Sequence, residues 1–193
     1  MNSSQRTPLD GEIHDGRHFL AVRVYYEDTD FTGIVYHGNY LRYMERGRTN
    51  HLRLIGANHR ALLEGTEKEA PGFAFVVRSM TLEFLRPARV DDVLEIVTEP
   101  EVVKGASMIL HQRVMRGDQI LVEASVRVAF VSGGWARPIP NPLRIAMRAD
   151  QEARFSRSSG ASASAPSKNV PSSFRKASSP TPSNAVTGPR VAL

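Results

Sequence analysis

Residues 120–131 alternate between apolar and polar side chains, and this pattern constrains the fold of the chain more than any other feature of its sequence. The apolar residues that share one face are Ile120, Val122, Ala124, Val126, Val128 and Phe130. Glu123, Ser125 and Arg127 fall on the opposite face. A period of two residues is typical of a β-strand with one packed face and one wetter face. The chain is therefore expected to build a sheet that is covered on one side.

Further strands are predicted before this segment. The turn at Gly117-Asp118 joins it to residues 106–115, which predicts a hairpin. Val93–Val103 is a strand entered through the polar turn at Asp91-Asp92, and residues 20–26 form the first strand. These segments lie close together along the chain, which favours an antiparallel sheet.

The strand predicted over residues 73–85 changes parity along its length. Its apolar residues fall on odd positions up to Val77 and on even positions from Met80 onward. A slip of one residue would turn the core face outward unless a bulge absorbs it. The sequence therefore predicts a β-bulge near Arg78-Ser79.

One long helix is predicted between the first two strands. Its packing stripe recurs at helical spacing and comprises Tyr40, Tyr43, Met44, Gly47, His51, Leu52 and Ile55. Gly38-Asn39 offers a cap at its start and Gly56 a stop after its end. Gly47 indicates either a close approach to the sheet or a tolerated glycine, which costs about 1 kcal/mol relative to Ala. The fold class is α+β, with one central helix wrapped by about five antiparallel strands.

Composition divides the chain into three zones. Residues 1–17 are polar and expected to be flexible, residues 18–150 form the folded domain, and residues 151–193 are expected to be a disordered tail rich in Ser, Pro and Ala. The tail carries six basic residues and one acidic residue, which is the whole net charge of +5. The neutral body gives no reason to expect nucleic-acid binding.

The residue types present exclude some kinds of site and argue against a membrane or secreted location. The chain has no cysteine, so disulfides, thiolate metal sites and a cysteine nucleophile are excluded. No stretch reaches the roughly 18–20 continuous apolar residues of a membrane span. The first residues lack the apolar run of a secretory signal. A cytoplasmic protein is therefore expected.

The segment that joins the first strand to the helix carries the chemistry. Glu27, Asp28 and Asp30 fall within four positions, and Gly33 and the helix start follow. The N–H groups of a helix N-terminus can polarise a carbonyl oxygen and stabilise an oxyanion. A nearby carboxylate can attack that carbonyl or deprotonate a water molecule. Two alternatives stay open: the acids are turn and capping residues, or Asp28, Asp30 and His37 are metal ligands.

Two segments carry a resemblance to a known family. Residues 22–53, VRVYYEDTDFTGIVYHGNYLRYMERGRTNHLR, resemble the signature of the YbgC-type acyl-CoA thioesterases associated with the Tol-Pal system. Residues 74–96, AFVVRSMTLEFLRPARVDDVLEI, are similar to the second strand and turn of the same family. These proteins have the hot-dog fold and are related to 4-hydroxybenzoyl-CoA thioesterase. The resemblance covers about residues 18–150.

The resemblance implies a role for several positions. Asp30 matches the catalytic carboxylate, and the backbone N–H of His37, with Gly38 beside it, would polarise the thioester carbonyl. Gly33 would let the loop turn under the substrate, and Tyr36 would pack on the acyl group. Phe31-Thr32 is bulkier than the small pair common in the family.

The resemblance further implies acyl-CoA as the substrate, with acyl carrier protein as an open alternative. It implies no cofactor, no metal, and a homodimer or dimer of dimers with the site between subunits. Lys104 roughly matches a residue of a basic cluster that contacts CoA phosphates in one relative, although Gly105 and Ala106 replace the rest of that cluster. Arg78, at the predicted bulge, is a further candidate for contact with substrate or a neighbouring loop.

Other polar residues have simpler interpretations. Glu45 and Arg48, three apart on the helix, are expected to pair on its surface or to lie near a subunit contact. Asp28 is expected to hold the loop through backbone hydrogen bonds. His51 is expected to be a satisfied core or interface histidine, and His111 an ordinary surface residue.

Two other functions compete with acyl-CoA hydrolysis. One is a hot-dog hydratase or dehydratase, and the other is a non-catalytic partner of the Tol-Pal envelope machinery. The sequence does not determine the acyl chain preference, nor whether Asp30 acts as nucleophile or as general base.

Overall fold

The computed structural model describes residues 8–57 and 73–160. The regular elements of these residues are β1 Glu12–His14, β2 Arg17–Arg23, α1 His37–Leu54, β3 Phe73–Phe84, β4 Val93–Val103, β5 Ser107–Arg116, β6 Gln119–Ser132, β7 Trp135–Ala136 and α2 Asn141–Gly160. A 3-10 turn, Tyr26–Asp28, lies between β2 and α1.

The strands form one antiparallel sheet in the order β1-β2-β4-β5-β6-β3, and β7 pairs with the end of β6. The four longest strands are those that the sequence predicted, with ends within one residue of the predicted ones. The sheet exceeds the predicted five strands because two short ones, β1 and β7, are added beside β2 and β6. In this order β3 lies at an edge of the sheet.

The predicted bulge in β3 is confirmed. The register of β3 against β6 shifts between Val77 and Ser79, so Arg78 is the extra residue. A second shift in β4 lies between Pro100 and Val102. Proline lacks the N–H that a regular ladder uses, which explains a local irregularity at that strand position.

Helix α1 packs across the covered face of the sheet. Its buried stripe includes Tyr43, Met44 and Leu52. The predicted close approach at Gly47 is confirmed, because a Cβ there would lie 2.9 Å from the Thr98 Oγ1 and 3.0 Å from the Ile96 Cγ2. The helix begins at His37, and its N-cap is Tyr36, two residues before Gly38, where the predicted cap begins.

Two structured segments fall in zones for which flexibility or disorder was expected. Strand β1 lies within residues 1–17 and pairs with β2. Helix α2 continues past residue 150 to Gly160. Leu143 and Met147 anchor its first half in the core, and extending a helix costs far less than nucleating one. The predictions for residues 1–7 and 161–193 lie outside the described residues. No described helix is long and apolar enough to cross a membrane.

Candidate active site on the loop before α1

The loop between β2 and α1 is held by Asp28. The Asp28 carboxylate accepts a hydrogen bond from the Tyr25 N–H at 2.9 Å. The Asp28 carbonyl accepts two more, from the Tyr36 N–H at 2.9 Å and from the Asn39 side-chain amide at 2.8 Å. These contacts agree with the predicted structural role of Asp28. They fix both ends of the loop on the first turn of α1.

The Asp30 carboxylate is held by Thr32. Its Oδ1 accepts hydrogen bonds from the Thr32 N–H at 2.8 Å and from the Thr32 hydroxyl at 2.5 Å. These two bonds, the hydroxyl first, keep the pKa of Asp30 below its ordinary value. The group is therefore a carboxylate at neutral pH, and it stays accessible to solvent.

A tight turn follows Asp30. The Asp30 N–H donates to the Ile34 carbonyl at 2.9 Å, and the Gly33 N–H donates back to the Asp30 carbonyl at 3.0 Å. Gly33 has a φ of 76°, which a residue with a Cβ rarely adopts. The turn is joined to the segment before β4, because Ile34 forms an isolated bridge with Arg89 and the Val35 N–H donates to the Ala88 carbonyl.

Helix α1 begins directly after this turn. Tyr36 is its N-cap and makes no side-chain capping bond. The first N–H groups of a helix have no partner within the helix, so those of His37 and Gly38 are available to a ligand. The Tyr36 and His37 rings lie 4.3 Å apart and cover the start of the helix. A Cβ at Gly38 would lie 2.9 Å from the Tyr36 ring, so only glycine leaves that ring in place.

Five of the seven predicted site residues lie together on this loop and helix start, namely Asp30, Gly33, Tyr36, His37 and Gly38. The other two lie elsewhere in the chain. Lys104 follows the far end of β4, an 11-residue strand that spans about 35 Å from its start beside the loop. Arg78 is exposed at the bulge of the edge strand, in the middle of β3.

Three polar residues behave differently from their predictions. Glu45 and Arg48 form no ion pair within the described residues: the Glu45 carboxylate accepts the Thr49 hydroxyl, and Arg48 turns inward. His111 is not an ordinary surface residue. It lies between two carboxylates, Glu99 and Glu123, each 2.8 Å from one of its ring nitrogens. The strand register brings these residues together, and the sequence alone does not give that register.

His51 is fully buried, as predicted for a core or interface histidine. Its Nε2 lies 2.8 Å from the Asp150 carboxylate on α2. Its ring stacks on His18 of β2 at a centroid distance of 5.7 Å. The histidine therefore links the central helix to the C-terminal helix and to the first strands.

Sequence reasoning missed two residues that build the site. Thr32 was noted only for its bulk, although an Asp followed two residues later by Thr is a common local hydrogen-bonding pattern. The Tyr40 hydroxyl accepts the Ala88 N–H at 2.8 Å and so ties α1 to the segment that supports the loop. No local signal identifies that bond, because its partners are 48 residues apart.

A cavity of about 230 Å³ lies farther along α1, between the helix and strands β3, β5 and β6. Its described lining is mostly apolar, with Glu45, Arg48 and Thr49 as the polar members. Glu45 lies eight residues after His37, which is about 12 Å along the helix axis. The cavity is thus separated from the Asp30 turn of the same chain.

Known proteins are similar to this chain in sequence and in fold. The thioesterase superfamily model matches residues 32–123. The acyl-CoA thioesterase YbgC of Haemophilus influenzae is 41% identical over 126 residues, which are 65% of this chain and 89% of that protein. The acyl-CoA thioester hydrolase YbgC of Escherichia coli O6:H1 is 43% identical over 125 residues, 64% of this chain and 89% of that protein.

A solved structure gives the same result. The crystal structure of a probable thioesterase from Bartonella henselae has a TM-score of 0.61 and 41% identity, and the match covers 64% of this chain and 99% of that one. Together with the helix packed on an antiparallel sheet, these likenesses confirm the hot-dog fold. The chain belongs to the thioesterase superfamily and, within it, to the YbgC-type acyl-CoA thioesterases.

Proposed function

We propose that the chain hydrolyses acyl-CoA thioesters, with Asp30 as the catalytic carboxylate and the N–H groups of His37 and Gly38 as the carbonyl-binding donors. The observation that carries the proposal is the ionised carboxylate of Asp30 on a turn that leads directly into a helix N-terminus. Both YbgC relatives are named for this reaction. No cofactor is part of the proposal.

The chemistry needs only these groups and water. The thioester carbonyl oxygen would accept hydrogen bonds from the helix N-terminus, which stabilises the negative charge that develops on attack. Asp30 either removes a proton from the attacking water or bonds to the carbonyl carbon to give an acyl anhydride that water then hydrolyses. In both routes the C–S bond breaks, the thiolate leaves with the electron pair and takes up a proton, and the free acid and CoA are released.

Asp30→Asn tests the catalytic role. The variant should lose at least about 100-fold in kcat/KM on short-chain acyl-CoA substrates, in line with the loss of a general acid–base group. Glu152→Gln, which neutralises an exposed acid on α2, is the matched control and should keep wild-type activity. Full activity of a folded Asp30→Asn protein would refute the assignment.

A single-turnover reaction in ¹⁸O water distinguishes nucleophilic attack by Asp30 from general-base catalysis. Label that enters the Asp30 side chain in that turnover indicates nucleophilic attack, because water has then hydrolysed the anhydride at the Asp30 carboxyl carbon. Label found only in the product acid indicates general-base catalysis. A screen of acyl chain lengths, with CoA and acyl carrier protein as the carriers, would define the substrate.

The edge strand β3 supports a site between two subunits. Its outer edge has no partner strand within the described residues, and its exposed side chains include Val76, Val77 and Phe84. An exposed apolar edge strand favours pairing with another chain. Antiparallel pairing of two copies around the bulge would place the Asp30 end of one copy opposite the cavity of the other, because a two-fold axis exchanges the ends of the strand.

Mixing two inactive variants tests this shared site. Asp30→Asn lacks the carboxylate, and Thr49→Trp fills the cavity. If each site takes Asp30 from one copy and the cavity from the other, a mixed dimer keeps one intact site. Random reassociation should then restore about a quarter of wild-type activity. A mixture as inactive as its parts would place the whole site in one chain.

Two other functions remain outcomes of these assays. Hydration of enoyl-CoA without thioester hydrolysis would favour the hydratase alternative. Capture of an envelope component by a protein without either activity would favour a non-catalytic role with the Tol-Pal machinery. The clustered acids and the helix start favour hydrolysis over both alternatives. We propose that the reaction takes place in the cytoplasm.

A further inference from the structure

The cavity along α1 is apolar apart from one end. Six apolar side chains contribute most of its described wall: Leu52, Phe73, Phe75, Met108, Leu110 and Val128. Its volume of about 230 Å³ would hold roughly seven or eight groups of the size of a water molecule. That space fits a short acyl chain.

The polar end of the cavity contains a buried cation. Arg48 is 9% exposed, and its Nη1 donates to the Gln112 Oε1 at 2.8 Å. No carboxylate within the described residues forms an ion pair with it. Burial lowers the pKa of Arg48 from its ordinary value, and Glu45 partly offsets this. An arginine stays charged nonetheless, so the cavity holds a positive charge with which no carboxylate of the described residues forms an ion pair.

Gln112 fixes the orientation of this cation. The Gln112 amide nitrogen donates to the Met44 carbonyl at 2.9 Å and to the Thr98 hydroxyl at 2.7 Å. The amide oxygen must therefore face Arg48. One of the five guanidinium N–H groups is used in this way. Arg48 lines the cavity, and none of its other guanidinium nitrogens is a fully buried atom without a hydrogen-bond partner among the described residues.

Glu45 does not neutralise this end of the cavity. It is exposed at the rim, and its Oε1 is engaged by the Thr49 hydroxyl at 2.6 Å. Solvent screens an exposed charge far more than a buried one. Among the described residues, Arg48 is therefore the main source of the field inside the cavity, and burying a cation without a counter-charge is unfavourable unless a ligand supplies the anion.

We propose that the cavity takes the distal end of the acyl group and that Arg48 selects acyl-CoA substrates whose acyl group ends in a carboxylate, that is, monothioesters of short dicarboxylic acids. This inference rests on the proposed thioester hydrolysis, with the thioester at Asp30 of one copy and the acyl end in the cavity. The apolar wall packs on the methylene groups. The free N–H groups of Arg48 bind the terminal carboxylate, which is the anion that a planar guanidinium matches best.

Two thioesters of equal shape test the inference. Glutaryl-CoA ends in a carboxylate, whereas 5-methylhexanoyl-CoA has two methyl groups in place of the two oxygens. The wild-type protein should prefer glutaryl-CoA by about 10-fold or more in kcat/KM, because charged hydrogen bonds in a buried site are worth that much. An equal rate, or a preference for 5-methylhexanoyl-CoA, would overturn the inference without any variant.

Variants then assign the preference to Arg48. Arg48→Met keeps the volume and should reverse the preference, whereas Arg48→Lys keeps the charge and should retain part of it. Arg42→Met, an exposed arginine six residues earlier on the same helix, is the matched control and should leave the ratio unchanged. Glu45→Gln removes a negative charge at the rim of the cavity that would repel the substrate carboxylate, and it should increase the preference for glutaryl-CoA.

The outcomes separate the inference from the function on which it rests. Hydrolysis of both thioesters at the same ratio in wild type, Arg48→Met and Arg42→Met would overturn only the role of Arg48, which would then be a structural residue of the helix–sheet contact. Hydrolysis of neither thioester, nor of any other acyl-CoA, would overturn the proposed function. Stabilisation of the Asp30→Asn protein by glutaryl-CoA but not by 5-methylhexanoyl-CoA, lost when Arg48→Met is added, supports the inference without a turnover assay.

Discussion

Gly47 gives a sharp test of how α1 contacts the sheet. It lies on the buried stripe of the helix, where a Cβ would meet the Thr98 Oγ1 at 2.9 Å, the Ile96 Cγ2 at 3.0 Å and the Gln112 Nε2 at 3.5 Å. The nearest atom belongs to a short side chain that is already fixed, because Gln112 donates to it at 2.7 Å. The neighbours therefore cannot move aside freely, and Gly47→Ala should strain the contact.

Two opposing effects decide the size of the change. Replacing a helical glycine with alanine stabilises the helix by about 1 kcal/mol. Inserting one carbon into a packed contact costs about 1–3 kcal/mol. Because two of the three contacts of a Cβ at Gly47 would be as short as 2.9 and 3.0 Å, we expect a cost of about 2 kcal/mol. The net result should be a loss of about 1 kcal/mol in the free energy of unfolding.

Urea unfolding at one fixed protein concentration measures this change, since oligomer stability depends on concentration. The difference between Arg42→Ala and Arg42→Gly gives the glycine-to-alanine gain at an exposed site of the same helix. Gly47→Ala in a Thr98→Ala background should lose less than in the wild type, because the nearest atom is gone. If Gly47→Ala stabilised the protein by as much as the glycine-to-alanine difference measured at Arg42, the close contact would be refuted.

Three further predictions concern titratable groups and their partners. Thr32→Val removes the hydroxyl that lowers the pKa of Asp30, so the acidic limb of the kcat/KM profile should move to higher pH; an unmoved limb would show that this bond does not act on the catalytic group. Glu99 raises the pKa of His111 above its ordinary value of 6.5. His111 therefore stabilises the folded state fully below pH 6.5, and this stabilisation is lost as pH rises through the higher pKa of the folded state. The free energy of unfolding of the wild type minus that of His111→Gln should fall over this pH range. A difference that stays constant with pH would contradict the prediction. Asp150→Asn removes the charged partner of a buried ring nitrogen and should lower the free energy of unfolding by about 1–3 kcal/mol in urea, with exposed Asp118→Asn as the control that should change little.

The sheet was readable from the sequence because its signals are local. Alternation gave the four long strands, and the parity slip gave the bulge at Arg78. The start of α1 was placed two residues late because Tyr36, the actual N-cap, makes no side-chain bond and carries no capping signature. Helix α2 was not predicted: its second half falls where the composition indicates a disordered tail, and only its first half is anchored in the core, by Leu143 and Met147.

The candidate site likewise combines residues that lie close together in the sequence with contacts between residues that lie far apart in it. Asp30, Gly33 and His37 lie within eight positions, so one loop and one helix start bring them together, and sequence could group them. His111 was misread because its two carboxylate partners each lie 12 residues away on neighbouring strands. Contacts of that kind depend on register, which alternation alone does not fix.

The division between local and distant contacts has a consequence for substrate choice. The group proposed to break the thioester bond is positioned by a short loop. The group proposed to recognise the acyl end, Arg48, is oriented by Gln112, which lies 64 residues away on another element. A change at either residue would alter the cavity without touching the loop of Asp30. Members of one family can therefore share the reaction and differ in substrate, and the glutaryl-CoA comparison measures recognition of the acyl end separately from the reaction at Asp30.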